Sequence, residues 1–298
     1  MYDSILIPTD GSEHAELAAR HGRGLAERFD AAVHVVGVVD VAAAAGPFNA
    51  GGVDDAFVDR LKDEAQSAVD AVEELADPDG DGSLTAAVVR GEPGEAIVEY
   101  IDEAGIDMVA MGTRGRRGLR RFATGSVTEH VVRRAHVPVV TVRTTEKSPV
   151  TDYERVLVTT DGSSAAEAAV DHAVAVADAY DATLHVCSVV DITAAAAGPT
   201  AAPPMDLLAN LREQAATGTE RMADRAREAG VDVVTEVREG FPGQGILDYA
   251  DDADIDLIAM GTHGRTGVDR ILLGSTTERT IRRSSVPVMS VHPSESGE

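Results

Sequence analysis

Residues 4–29 read SILIPTDGSEHAELAARHGRGLAERF, and they divide into two patterns that indicate a strand followed by a helix. SILIPT is a short apolar run, which is typical of a strand buried on both faces of a parallel sheet. Small and apolar residues then recur at helical spacing, at Ala15, Ala18, Gly22, Leu25 and Phe29. Ser12 stands where a helix N-cap is expected. Asp10 therefore falls at the carboxyl end of a strand, just before a helix.

The same unit occurs a second time in the chain. ILIPTDGSEHAE at 5–16 matches VLVTTDGSSAAE at 156–167, and GEPGEAIVEY at 91–100 matches GFPGQGILDY at 240–249. Two copies at nearly constant spacing suit a duplicated domain better than a solenoid. The junction, RTTEKSPVTDYER, is polar and contains proline, which is typical of a linker. We predict one domain over residues 1–147 and a second over residues 148–298.

Strand and helix patterns alternate within each copy. After SILIPT, the strand patterns of the first copy are AAVHVVGVV, LTAAVVR, IDMVAMG and PVVTV, and helical patterns separate them. Such alternation indicates a parallel sheet covered by helices on both faces. We therefore expect an α/β fold of two tandem, doubly wound, open parallel five-stranded sheets. They are Rossmann-like, with strand order 3-2-1-4-5 in each.

The charge of the chain excludes some partners. Its 298 residues carry 51 acidic and 26 basic side chains, so the formal net charge is -25. A negative field of this size repels nucleic acid and anionic membranes, and we expect neither as a partner. Only two of the basic residues are lysines, Lys62 and Lys147, and aromatic residues are few. This composition favours a salt-in halophile, and the alternative is an acidic protein from a GC-rich genome.

Other features of the composition indicate a cytoplasmic protein. The N-terminus runs straight into a strand pattern without a signal-peptide pattern, and no apolar run approaches the ~20 residues of a membrane-spanning helix. Cys187 is the one cysteine, which excludes an internal disulfide and a multi-cysteine metal site. We expect Cys187 to be a buried, inert thiol, and His34 and His185 to be structural. No metal site is predicted.

A basic, glycine-punctuated loop follows the fourth strand of each copy. MGTRGRRGLRRFATGS at 111–126 holds five arginines and no acid, and MGTHGRTGVDRILLGS returns at 260–275. Both read G-x-x-G-x9-G-S, with glycine and serine at Gly112, Gly115, Gly125, Ser126, Gly261, Gly264, Gly274 and Ser275. Glycines let backbone N–H groups approach an anion, and the N-terminus of the following helix favours negative charge. The loops therefore predict a polyphosphate ligand, and the alternative is a surface loop whose glycines serve turns and helix packing.

The topology predicts which residues share a site. In doubly wound sheets, ligands bind at the carboxyl ends of the strands, where the winding direction reverses. With strand order 3-2-1-4-5, the first and fourth strands are neighbours that lead in opposite directions. Asp10 and the basic loop are therefore expected to flank one crevice.

These residues resemble the universal stress protein family of the ATP-binding type. That family's loop is written G-2x-G-9x-G-(S/T), and both copies match it in full. The match extends to PTDGS after the first strand, VVD after the second and VPV at the last, so it covers nearly the whole chain. The resemblance implies ATP as the ligand, with or without Mg²⁺. It places the adenine and ribose near the first two strands and the phosphates on the loop.

The resemblance also implies which residues bind the nucleotide. In the first copy they are Pro8, Thr9, Asp10, Val38, Met111, Gly112, Arg114, Gly115, Gly125, Ser126 and Val127. In the second copy they are Thr159, Thr160, Asp161, Val189, Met260, Gly261, His263, Gly264, Gly274, Ser275 and Thr276. The chain departs from the family pattern at Thr159, where the family often has proline, and at Arg114, where it commonly has histidine. Arginine and histidine can both donate to phosphate.

Three classes of function remain open at this point. The first is an adenine-nucleotide-binding stress-response or signalling protein without rapid hydrolysis. The second is an enzyme, either a slow ATPase or an adenylyl-transferring relative, and the third is an interaction protein with unoccupied sites. The first loop offers no acid, and the chain lacks both a HIGH-type signature and a Walker lysine, so the groups that rapid phosphoryl transfer uses are missing. We expect binding rather than catalysis and predict no catalytic residue.

The last strands predict how the copies assemble. VPVVTV at 137–142 and VPVMSV at 286–291 come last in each copy, where they would form sheet edges. Unpaired edges need covering, and mutual antiparallel pairing would satisfy both. The resemblance agrees, since single-domain members look like dimers built through this strand. We expect an intrachain pseudo-dimer, with a homodimer of tandem chains as a further option.

Overall fold

The structure is a computed structural model that describes residues 1–41, 55–76, 83–115, 125–145, 151–191, 205–263 and 273–293. The chain divides into two compact units, Met1–Thr151 and Asp152–Glu298. The predicted boundary lay at 147/148, inside the same polar segment. Each unit is described by itself.

Strands and helices alternate in the first unit. Its elements are β1 (Ser4–Thr9), α1 (Glu13–Phe29), β2 (Ala32–Val39), α2 (Asp55–Ala76), β3 (Leu84–Arg90), α3 (Pro93–Ala104), β4 (Met108–Gly112), α4 (Ser126–Arg134) and β5 (Val139–Val142).

The second unit repeats this order. Its elements are β6 (Arg155–Thr159), α5 (Ser164–Tyr180), β7 (Thr183–Asp191), α6 (Met205–Glu228), β8 (Val233–Gly240), α7 (Pro242–Asp252), β9 (Leu257–Gly261), α8 (Ser275–Arg283) and β10 (Val288–Val291).

Both sheets are parallel and have the predicted strand order. The first unit runs β3-β2-β1-β4-β5 and the second β8-β7-β6-β9-β10. In the first unit β1 pairs with β2 on one side and with β4 on the other. β6 makes the matching pairs with β7 and β9. The α/β class and the 3-2-1-4-5 order are confirmed, so the winding reverses between β1 and β4 and between β6 and β9.

The central strand and the first helix pack closely. All six residues of β1 are buried. A Cβ added to Gly22 of α1 would lie 2.9 Å from the Ile7 side chain, so this glycine lets the helix approach the sheet. Ser12 caps α1 by accepting a hydrogen bond from Ala15 N, as predicted. Ser163 caps α5 in the same way through Ala166 N.

The strand histidines are structural, as expected from the sequence. His34 Nδ1 lies 3.0 Å from Tyr100 Oη, and His185 Nδ1 lies 2.7 Å from Tyr249 Oη. Burial lowers the pKa of both histidines. Cys187 is buried, and burial raises the pKa of its thiol to about 12. A thiol with that pKa is almost fully protonated at neutral pH and is a poor nucleophile.

Each unit has four helices within the described residues. None of them is both long enough and apolar enough to cross a membrane.

Candidate functional site

A short turn joins β1 to α1 at the carboxyl edge of the first sheet. Gly11 has φ of 69°, which is the left-handed region that glycine adopts without strain. Gly11 N donates to Thr9 Oγ1 at 3.0 Å, and Ser12 N donates to Asp10 Oδ1 at 3.1 Å. These bonds hold the exposed Asp10 carboxylate at the edge of the sheet.

The second unit has the same turn between β6 and α5. Gly162 N donates to Thr160 Oγ1 at 3.0 Å, and Ser163 N donates to Asp161 Oδ1 at 3.0 Å. The duplication thus preserves backbone geometry as well as sequence.

The turn and the basic loop meet, as the topology predicted. In the first unit Ser12 Oγ donates to Arg114 O at 3.4 Å. A Cβ built on Gly115 would overlap Asp10 Oδ2, so the carboxylate lies directly against the loop. In the second unit Ser163 Oγ donates to His263 O at 3.4 Å. Asp10 is therefore beside the loop itself.

The first glycine of each loop is required by helix packing. A Cβ on Gly112 would lie 2.8 Å from the His14 carbonyl carbon and oxygen. Gly261 faces Ala165 in the same way, with the closest approach at 2.6 Å. The packing role proposed as the alternative for these glycines thus holds at this position. It brings the loop's backbone against the first turn of α1 or α5.

The last glycine of each loop begins a helix. Gly125 N donates to Thr113 O, and Gly274 N donates to Thr262 O, both at 2.8 Å. These two amides are therefore directed at the protein. Neither α4 nor α8 has a side-chain cap at its N-terminus. The first-turn amides of each helix, at Ser126 and Val127 and at Ser275 and Thr276, are the ones left for an anion.

Two threonines that the sequence analysis missed position these helices. Thr128 Oγ1 donates to Gly112 O, and Thr277 Oγ1 donates to Gly261 O, both at 2.8 Å. Each bond ties the first turn of a helix to the end of the preceding strand. The signal that could have found them is the shared S-x-T at 126–128 and 275–277.

A second cation joins Arg114 in the first unit. The register pairs Gly112 with Val142, and Thr113 N donates to Val142 O at 2.9 Å, so Arg143 follows β5 beside the loop. Burial and the Arg114 charge lower the pKa of Arg143. The two arginines therefore follow adjacent strands at the same edge of the sheet.

His14 belongs to the same group of charged residues. Its Nδ1 lies 2.5 Å from Thr144 Oγ1. Burial lowers the pKa of His14, and Arg114 and Arg143 lower it further, while Glu13 and Asp10 act in the opposite direction. The neutral imidazole is therefore favoured next to the two arginines.

Histidines occupy the matching positions of the second unit. Thr262 Oγ1 lies 2.9 Å from His263 Nδ1 and 3.2 Å from His292 Nδ1. The two ring centroids are 5.7 Å apart. His292 follows β10 as Arg143 follows β5, and the two positions are 149 residues apart (292 − 143). The same spacing relates His263 to Arg114. Neither Arg143 nor His292 was predicted as a site residue, although the repeat aligns them.

The remaining predicted residues fall at the same edges with different exposures. Thr9 and Thr160 are buried, Val38 and Val189 are half-buried, and the side chains of Met111 and Met260 are buried in the core. Pro8 and Thr159 lie on the central strands β1 and β6. Gly264 lies outside the described residues, as do Arg116, Arg117, Arg120, Arg121, Arg265 and Arg270.

A separate cluster could offer oxygen and nitrogen ligands to a cation. One ligand atom from each of Glu92, Glu95 and His130 lies within 4.8 Å of the others. Both glutamates are exposed, and the Glu92 carboxylate already caps α3 by accepting from Glu95 N at 3.0 Å. The second unit does not repeat the set, since the matching residues are Phe241, Gln244 and Arg279. Helix capping explains the arrangement.

Comparison with known proteins places both units in one family. A sequence profile of the universal stress protein family matches residues 1–143 and again residues 152–292. A universal stress protein of Mycolicibacterium smegmatis is 29% identical over 304 residues, covering 97% of each chain. One from Methanocaldococcus jannaschii is 37% identical over 147 residues, covering 49% of this chain and 85% of that protein.

A solved structure has the same fold. The crystal structure of a universal stress protein from Archaeoglobus fulgidus covers 99% of this chain and 97% of its own, with a TM-score of 0.70 at 24% identity. At that identity the likeness concerns the fold.

Proposed function

Because the chain belongs to the universal stress protein family, we propose that it is a stress-response or signalling protein that binds an adenine nucleotide at each of its two carboxyl edges. ATP is the ligand we expect first. The observation that carries this proposal is the meeting of three elements in each unit. These are an Asp-bearing turn, a glycine loop that begins with a cation or histidine, and a helix N-terminus without a side-chain cap.

The charge distribution supports an anionic ligand. The chain as a whole is strongly acidic, yet Arg114 and Arg143 follow the adjacent strands β4 and β5, and the Arg114 charge lowers the pKa of Arg143. Bringing two guanidinium groups together costs free energy through their repulsion, and a bound polyphosphate offsets it. The first-turn amides of α4 add donors and a favourable helix dipole. The phosphates would therefore lie between the loop and α4.

The adenosine end would lie towards β2 and β7. In the register of β1 and β2, Thr9 pairs with Gly37, and Val38 is the next residue of β2. The backbone of Val38 would therefore lie at the carboxyl edge next to Pro8 and Thr9. Val189 has the equivalent place in the second unit. The carboxylates of Asp10 and Asp161 would bind a ribose hydroxyl, or a Mg²⁺ ion that accompanies the nucleotide.

We propose that hydrolysis is slow and that the chain is not an enzyme in its main role. Rapid phosphoryl transfer uses several groups that hold the metal and orient the nucleophile. Among the described residues of the first edge, Asp10 is the carboxylate against the loop, and one of its oxygens already accepts from Ser12 N. Its position favours a slow ATPase as the second candidate, which phosphate release by wild type and Asp10→Asn would test. Turnover well below ~1 per second supports binding as the main role.

Calorimetric titration with ATP tests the proposal, and Gly115→Val is the informative variant. Its side chain would collide with Asp10, so we expect the number of sites to fall from two to one. Gly218→Ala is the matched control, since a Cβ there meets nothing within 4 Å. ADP, AMP and cyclic AMP complete the panel. Absence of binding by wild type to all four nucleotides would exclude the proposal.

A further inference from the structure

The two edges carry different chemistry at one matched pair of positions. In the first unit, Arg114 follows Thr113 in the loop, and Arg143 follows the last strand. In the second unit, His263 follows Thr262, and His292 follows the last strand. A guanidinium stays charged at every pH that a cell reaches, whereas an imidazole ordinarily titrates near pH 6.5. The repeat has thus placed a permanent pair and a titratable pair in the same location.

Backbone geometry makes the two pairs comparable. Gly112 pairs with Val142 and Gly261 with Val291, and the amides of Thr113 and Thr262 donate to the carbonyls of these valines at 2.9 Å. The loop residue and the last-strand residue are therefore brought together by the same ladder in both units.

The hydroxyl between the pair differs between the units. Thr262 Oγ1 is within hydrogen-bonding distance of both imidazoles. Thr113 is 2% exposed, and its Oγ1 has no hydrogen-bond partner within the described ranges. Since buried hydroxyls are rarely left unsatisfied, this orphan hydroxyl is a second indication that a ligand belongs at the first edge.

We propose that Arg143 and His292 are phosphate-binding residues of the two edges, and that this matched pair of positions makes anion binding pH-dependent at the second edge but not at the first. This inference rests on the proposed nucleotide binding. His263 and His292 carry charge only in their protonated forms, which a lower pH favours and which an anion between the rings stabilises. Affinity at the second edge therefore rises as the pH falls, whereas the arginine pair contributes equally from pH 8 to pH 6.

The groups around the histidine pair leave this direction unchanged. Thr262 is neutral, and the β6–α5 turn, whose Ser163 Oγ donates to His263 O, carries the Asp161 carboxylate, whose negative charge would favour protonated imidazoles. In the first turns of α5 and α8, Glu167 and Glu278 form ion pairs with Arg221 and Arg282. The repulsion between two protonated rings broadens the titration, and a bound phosphate offsets that repulsion.

The full-length Gly115→Val chain isolates the second edge for a calorimetric titration with ATP between pH 8 and pH 6. Two versions of this variant are compared. The histidine chain keeps His263 and His292, and the arginine chain carries His263→Arg and His292→Arg, which copy the arginine pair of the first unit. The terminal phosphate of ATP also titrates in this range, and this contribution is the same in both chains. We expect the affinity of the histidine chain to rise about tenfold more than that of the arginine chain, as a charge-assisted bond is gained.

A spectroscopic measurement checks the same inference without relying on affinity. In a chain with labelled histidines, the apparent pKa of His292 should rise when ATP is added, and His263→Gln/His292→Gln should abolish the extra low-pH affinity while preserving the fold. If Gly115→Val binds no ATP at any pH, the proposed function fails at this edge, and this inference fails with it. If ATP binds with the same pH dependence in the histidine and arginine chains, or leaves the pKa of His292 unchanged, this inference alone is wrong.

Discussion

Glycines of the same loop are needed for different physical reasons. A Cβ on Gly112 would lie 2.8 Å from the backbone of His14, so this position has no room for a side chain. A Cβ on Gly115 would instead overlap the Asp10 carboxylate. A motif written as spaced glycines gives both positions the same weight. The structure separates them into a position that packs a helix and a position that lies against the Asp10 carboxylate.

Gly112→Ala should destabilise the protein, and Gly218→Ala should stabilise it. The first substitution forces a methyl group against main-chain atoms, which costs about 1–3 kcal/mol, as overpacking does. The second adds a methyl group in open space within α6, where alanine is favoured over glycine by about 1 kcal/mol or less. Urea unfolding followed by circular dichroism measures both free energies. A shift in the same direction for the two variants would contradict the packing role of Gly112.

Residue identity was a good guide to the site where a motif existed and a poor one elsewhere. Asp10, Arg114 and Gly115 were predicted and lie together. Arg143 and His292 were missed because each stands after a four-residue strand, with no local pattern to mark it. Strand register brings them to the loop, and register is set by pairing over distances that a local motif does not contain.

The elements follow from local rules more fully than the contacts between them do. The Ser12 N-cap and the buried strand β1 were predicted from turn chemistry and from spacing. The contact of His34 with Tyr100 was not, because it depends on how α3 lies across β2. The same pair recurs as His185 and Tyr249, so it is a property of the packed elements and not an accident of one unit.

Acidification should weaken the second unit through His185. Burial and the Arg155 charge lower the pKa of His185 below its ordinary value. The unfolded chain therefore binds the proton more tightly than the folded chain does. The stability that neutral His185 contributes is complete above about pH 6.5 and is lost as the pH falls through the folded-state pKa.

His185→Gln tests this by removing the titrating group while keeping a polar partner for Tyr249. Between pH 6.5 and pH 5 we expect the free energy of unfolding to fall less steeply in the variant, by at most about 1.4 kcal/mol per pH unit for one proton. Urea unfolding at several pH values provides the slopes. An unchanged slope would mean that His185 does not contribute.

At the scale of the whole molecule, duplication and connection rules account for most of what could be predicted. Two copies and a parallel sheet with strand order 3-2-1-4-5 followed from repeats and from the known preferences of doubly wound folds. The divergence between the copies did not follow, since the arginine pair and the histidine pair become comparable only once both ladders are seen.

Salt should stabilise the chain despite its ion pairs. Pairs such as Arg221 with Glu167 join exposed side chains, and salt weakens pairs of this kind, each worth about 0–1 kcal/mol. The excess of 51 acidic over 26 basic residues repels itself over the whole surface, and salt relieves that repulsion. We expect the thermal midpoint to rise between 0.1 and 2 M KCl, as a halophilic origin would require. A falling midpoint would indicate that the ion pairs outweigh the repulsion.

Association of separated halves tests the predicted pairing of the last strands. Within its own unit, β5 is the outermost strand beside β4, and β10 is the outermost strand beside β9. The two strands lie within the apolar runs 137–142 and 286–291, from which the pairing was inferred. We expect residues 1–148 and 149–298 to associate when mixed, as measured by analytical ultracentrifugation. Val140→Pro and Val288→Pro remove a strand N–H and should weaken the association. Halves that each fold but stay monomeric would contradict the prediction.

The central position of β1 has a consequence for how the chain emerges from the ribosome. β1 is made first, yet one of its two neighbours, β4, begins at Met108. For the time needed to translate about a hundred residues, at roughly 5–20 residues per second, one side of this strand, which is fully buried in the folded unit, has no partner. Translation of β4 ends that exposure, and the first unit can then complete its sheet before the second has been made. A nascent chain halted between β3 and β4 should therefore recruit holding chaperones, and one halted after β5 should release them.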